Sequence, residues 1–156
     1  MSNFLSPAWI VLAILIAVLL LYLVFRNGKL RFASKPILTA NEIEFFGRLR
    51  KALPDHALFT QVALRAIVRP GSASSSKSYL RELSFLGAKH ADFVVCHPET
   101  LAVIAIIELD DRTHNPDKDA QRDAMTGAAG YPTLRFQSKA RPTVTQLREA
   151  VLACAE

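Results

Sequence analysis

Apolar and polar positions alternate along this chain in several distinct rhythms. From Trp9 to Phe25 (WIVLAILIAVLLLYLVF) there are 17 consecutive apolar residues. A run of that length without a charge predicts a membrane-spanning helix, for which roughly 17–25 residues are needed. Further on, Ile43, Phe45, Phe46, Leu49 and Leu53 recur at helical spacing. Thr39 and Glu42 stand where a capping box would start that helix, and Pro54 ends the pattern. Phe59 to Leu64 reads as a first strand, Ala91 to Cys96 as a second and Leu101 to Leu109 as a third. The third run is apolar on both faces, which predicts a central strand covered from both sides. The turn His97-Pro98-Glu99-Thr100 is short, so the second and third strands should form an antiparallel hairpin.

Between the first two strands, Arg69 to Ser78 (RPGSASSSKS) reads as a flexible loop, and Arg81 to Lys89 as a short helix or a turn. After the third strand comes a polar loop, Arg112 to Lys118. A helix then starts at Asp117 or Asp119 and ends near Gly130. Pro132 to Phe136 is a fourth strand. Thr143 and Gln146 suit the cap of a last helix, with Val144, Leu147, Val151 and Leu152 as its apolar stripe. The soluble order is α-β-β-β-α-β-α, a small mixed sheet flanked by helices.

Charge adds an orientation. Residues 1–25 hold no Lys, Arg, Asp or Glu, whereas Arg26, Lys29, Arg31 and Lys35 follow at once. The excess of basic residues predicts that the C-terminal side lies in the cytoplasm. A cleaved signal peptide fits less well, because no basic residue precedes the run and no small-x-small site follows it. The expected organisation is an anchor over 1–26, a linker over 27–38 and one domain over 39–156. The net charge of +5 belongs to the soluble part. It is partly explained by that juxtamembrane cluster, which anionic lipid attracts. Arg65, Arg69, Lys77, Arg81 and Lys89 face a single acid, Glu82. Such a segment suits a phosphate backbone, yet without interleaved aromatics it reads as a solvated loop or one lying on lipid.

Two cysteines, Cys96 and Cys154, and four unclustered histidines give no zinc pattern. The candidate chemistry lies in the carboxylates. Glu108 and Asp110 are two apart in a strand and share a face, about 7 Å from each other. Asp92 opens the neighbouring strand. Like charges on one face repel, and a divalent cation or a basic partner relieves that cost. Each acid also has a plainer reading: Asp92 as a residue at a sheet edge, Glu108 in a strand-end salt bridge, Glu42 as the cap of its helix. His114 is either a base or a loop staple. Arg122 pairs with an acid or touches a phosphate, and Arg135 reads as an internal partner.

Taken together, Leu38-Thr39-Ala40-Asn41-Glu42, Lys89-His90-Ala91-Asp92-Phe93-Val94, Ile107-Glu108-Leu109-Asp110-Asp111 with His114, Arg122-Asp123 and Gly130-Tyr131-Pro132-Thr133-Leu134-Arg135 carry a family likeness. The chain resembles the PD-(D/E)xK nuclease superfamily, with its restriction-endonuclease-like fold. Within that superfamily it resembles the bacterial membrane-anchored family catalogued as domain of unknown function 2726. The resemblance implies an α/β domain preceded by one transmembrane helix in a bacterial inner membrane. It implies Asp92 and Glu108 as ligands of Mg²⁺, with Asp110 as a third carboxylate, and Glu42 as an auxiliary acid. The superfamily has a Lys two residues after the Glu, where this chain has Asp110. Lys118 or Arg122 would then supply the positive charge and His114 or Glu42 would handle the water, in hydrolysis of nucleic acid. A catalytically inactive binding or scaffold module of the same fold is the alternative.

Overall fold

A computed structural model describes residues 7–26, 31–87, 89–110 and 124–154. The chain divides into two compact units, Met1–Lys35 and Pro36–Glu156.

The first unit contains one helix, α1 (Pro7–Arg26), 20 residues long and so about 30 Å at 1.5 Å per residue. Its described large apolar side chains are exposed throughout, Trp9 at 64% and Leu21 at 59% among them. Among the described residues no helix is long and apolar enough to cross a membrane. The side chains of Val24 and Arg26 fall outside the description.

The second unit is a mixed α/β layer structure. It contains α2 (Ala40–Ala52), β1 (Ala57–Ala63), α3 (Leu64–Ile67), α4 (Lys77–Leu86), β2 (His90–Cys96), β3 (Val103–Asp110), β4 (Thr133–Gln137) and α5 (Val144–Leu152). Residues 124–128 are also helical. The four strands form one sheet in the order β1-β2-β3-β4. β1, β2 and β3 pair antiparallel, and β3 pairs parallel with β4. The expected hairpin and mixed sheet are therefore present. The expected order holds too, with α3 and α4 inserted between β1 and β2. The helix at 64–67 has no signature in the sequence, because a single turn is too short to show a periodicity. The sequence left 81–89 open between helix and turn. α4 begins at Lys77 because Ser76 caps it, accepting a hydrogen bond from the Tyr79 amide.

Two cores seal the two faces of the sheet. On one face α2 and α5 contribute Phe45, Leu49, Ala52, Leu53, Leu147 and Val151, which pack on Phe93, Val95 and Ile107. Phe45 lies 5.4 Å from Phe93 and 5.8 Å from Phe136, centroid to centroid. On the other face Leu64 of α3 and Leu86 of α4 pack on Val94, Cys96 and Ile106. Both helix caps foreseen at Thr39 and Thr143 form complete capping boxes. The foreseen stripes are narrower than expected, since Ile43, Val144 and Leu152 are exposed. Cys96 is buried, and desolvation pushes its thiol pKa up.

One local departure changes the face assignment of β3. Val95 pairs with Ala105 but Cys96 pairs with Val103. An extra residue, Ile104, therefore bulges from β3. Ile104 packs with the α2/α5 core, whereas Ile106 faces the α3/α4 core. Unbroken alternation would put both Ile104 and Ile106 on one face with Glu108, but only Ile106 lies there.

Candidate functional site

The acids stand at the end of the central strands, beyond the bulge, where strict alternation resumes. Ile107 and Leu109 belong to the α2/α5 core, so Glu108 and Asp110 point to the opposite face with Ile106. On β2, Val94 lies on that same face and so does Ala91, so the alternation breaks beside Asp92. Phe93 pairs with Ile107, and one further step along the ladder sets Asp92 opposite Glu108. Directly opposed residues in an antiparallel pair hold their Cβ atoms about 4.5–5.5 Å apart. Asp92 and Glu108 thus stand opposite each other at the ends of two adjacent strands, with Asp110 on the Glu108 face.

Asp92 is fixed by a hydrogen bond across the strands. The Leu109 amide donates to its Oδ2 at 2.9 Å. That amide lies between Glu108 and Asp110, so the Asp92 carboxylate is drawn toward both. Glu108 is 2% exposed, the only carboxylate in the buried set of described residues. Burying a carboxylate costs several kcal/mol unless charge or hydrogen bonds compensate it. Asp92, Glu108, Asp110 and Arg135 each make further interactions besides those named.

Asp110 is engaged by Arg135. The Arg135 Nη1 donates to Asp110 Oδ1 at 3.0 Å and to Oδ2 at 3.1 Å. Both side chains are about one-fifth exposed, at 23% and 20%. β4 makes this pairing possible. Its parallel register sets Arg135 abreast of Glu108 and Gln137 abreast of Asp110. The internal-partner reading of Arg135 is therefore realised on the acid row itself. Among the described residues no group of three or more His, Cys, Asp or Glu side chains comes together to hold a metal ion. Two carboxylates, Asp92 and Glu108, are the nearest fit. Mg²⁺ is commonly held by one or two carboxylates with waters and phosphates completing the shell.

Glu42 serves as a cap, with a second contact. Its Oε2 accepts from the Thr39 amide at 2.6 Å, and its Oε1 accepts from Gln61 Nε2 at 3.1 Å. Thr60 pairs with Phe93 and Val62 with Ala91, so Gln61 falls opposite Asp92. Gln61 has φ 52°, a left-handed conformation uncommon for a residue with a Cβ. No sequence signal marks Gln61, because Gln is unremarkable in a strand. Glu42 is thereby tied to the strand position facing Asp92. His114, Lys118 and Arg122 lie outside the described residues.

A scan of family models matches residues 34–154 to a family described as Protein of unknown function (DUF2726). The chain belongs to the DUF2726 family. The match covers the α/β unit of this DUF2726 protein almost completely. No curated protein and no solved structure matches the chain.

The loop before α4 in this DUF2726 domain is also pinned. Glu82 accepts hydrogen bonds from the Ser72 amide at 3.1 Å and from the Ser72 hydroxyl. The Ser72 bonds, above all that of the side chain, hold the Glu82 carboxyl below its ordinary value of 4.5. A depressed folded pKa stabilises the fold above the ordinary value, and that contribution is lost as pH falls below 4.5 through the folded value. Hydrogen exchange at the Ser72 amide should accelerate over that acidic window. In Glu82→Gln it should be fast already at neutral pH, with the rest of the domain unchanged.

Proposed function

We propose that this protein is a membrane-anchored, metal-dependent phosphodiesterase acting on nucleic acid. The observation that carries the reading is the placement of Asp92 opposite Glu108, with Asp92 bonded to the amide between Glu108 and Asp110. The element order supports it as well: a helix, three antiparallel strands, a helical segment and a parallel fourth strand follow the restriction-endonuclease-like plan. The charge-free apolar run from Trp9 to Phe25 is what supports the anchor. The basic residues after it support a cytoplasmic domain at a bacterial inner membrane.

In this reading Asp92 and Glu108 would hold Mg²⁺, which would supply Lewis-acid polarisation of a phosphoryl oxygen and a more acidic water. Asp110 holds Arg135 in place beside Glu108, where its guanidinium offsets negative charge on the acid row. Glu42 fixes the side-chain amide of Gln61, the residue opposite Asp92. His114, Lys118 and Arg122 remain candidates for proton transfer and for charge stabilisation.

The Arg135–Asp110 pair also favours a second reading. An acid row already partly neutralised by arginine suits a binding module of the same fold. Metal titration separates the two. The full chain in neutral detergent micelles should gain stability with Mg²⁺ or Mn²⁺, by about 2.7 kcal/mol at a hundredfold excess over Kd. The gain should vanish in Asp92→Asn and in Glu108→Gln. An unchanged melting temperature at millimolar metal leaves the binding module.

A further inference from the structure

The acid row does not exhaust its face of the sheet. α4 covers the same face through Leu86, and its outer side is basic. Lys77 and Arg81 are exposed, and Lys89 follows the helix half-buried. Arg65 and Arg69, both exposed, extend the cluster. Among the described residues none of these five cations is in an ion pair. The one acid of the segment, Glu82, is occupied by Ser72.

Phe85 stands among these cations. It is 37% exposed. The Arg81 guanidinium carbon lies 5.6 Å from its ring centroid and the Lys89 Nζ lies 5.9 Å from it. Two positive charges converge on one exposed ring with no acid between them. The ring attracts each cation by about 0.5–1 kcal/mol at an exposed site, but their mutual repulsion is left for an anion to relieve. A cavity of about 430 Å³ opens beside the ring, bounded by Val68, Arg69, Glu82, Leu86 and Met125.

We infer that Arg81, Phe85 and Lys89 form a binding site for single-stranded nucleic acid, with a base against Phe85 and its flanking phosphates against the two cations. The inference rests on the reading above for the substrate class and adds the strand state. A flat ring between unpaired cations provides stacking and phosphate neutralisation together. Paired bases in a duplex offer no free face to such a ring. A phospholipid surface offers the phosphates but no planar π partner. Arg81, Phe85 and Lys89 recur every four residues, an aromatic between two basic residues, which corrects the reading of this segment as lacking interleaved aromatics.

The test is binding of a fluorescent oligo(dT) of about 15 nucleotides, enough for one site of this kind. It is measured by anisotropy on the full chain in neutral detergent micelles, with EDTA present. Single strand should bind at least about tenfold tighter than duplex of equal length. Phe85→Ala should weaken it by about 5- to 100-fold, the worth of one stacked base, while Phe85→Trp retains it. Arg81→Gln should lower the salt slope by about 0.7, one phosphate contact. Equal affinity for duplex, an unaffected Phe85→Ala, or capture of anionic phosphatidylglycerol vesicles in place of the oligonucleotide would overturn the inference. Tight binding in EDTA with no cleavage on adding Mg²⁺ supports this site and removes only the hydrolytic reading.

Discussion

Asp92→Ala and Glu108→Ala are each expected to lower metal-dependent cleavage of single-stranded DNA by about a thousandfold. That factor follows from losing about 4 kcal/mol of transition-state stabilisation. The two effects should not add, because either loss empties the same site. The double variant should be no worse than the weaker single one. Asp110→Asn should act differently, since Asp110 touches Arg135 at 3.0 Å and 3.1 Å. It should cost less in rate and should be partly mimicked by Arg135→Lys, which keeps the charge but not the fork. A time course with purified variants in micelles decides between these patterns. Full activity in Glu108→Ala would end the hydrolytic reading.

Phe93→Ala should be the most damaging single change to the fold, destabilising it by about 3–5 kcal/mol. Phe93 is 1% exposed. It stacks at 6.0 Å on Phe46 and meets Phe45 at 5.4 Å, so its loss opens a cavity between β2 and α2. It also neighbours Asp92 in sequence and pairs with Ile107 beside Glu108. Chemical denaturation followed by far-UV circular dichroism reads the loss. A cost below about 1 kcal/mol, a surface-like value, would mean that the aromatic cluster does not bind α2 to the sheet.

How much of this was legible in the sequence depends on the length scale of each signal. The capping boxes at Thr39 and Thr143 were readable because they are local chemistry, completed within four residues. The hairpin from β2 to β3 followed from a short turn, and the burial of β3 from its unbroken apolar run. The shared face of Glu108 and Asp110 came from the two-residue repeat of a strand. The Ile104 bulge was not readable, because it arises only when β2 and β3 are laid together, and it moved one apolar residue to the other core. Arg135 beside Asp110 was equally hidden. It needs the parallel register of β4, set by contacts across 25 residues of chain. Gln61 was hidden for another reason: its left-handed backbone leaves no trace in residue type.

That left-handed turn at Gln61 also bears on self-association. β1 lies at the edge of the sheet, where an open row of amides and carbonyls invites a strand from another molecule. The backbone reversal of Gln61 and the helix starting at Leu64 break that row after Thr60. Neighbouring copies therefore find only a short template, too brief for strand-by-strand zippering.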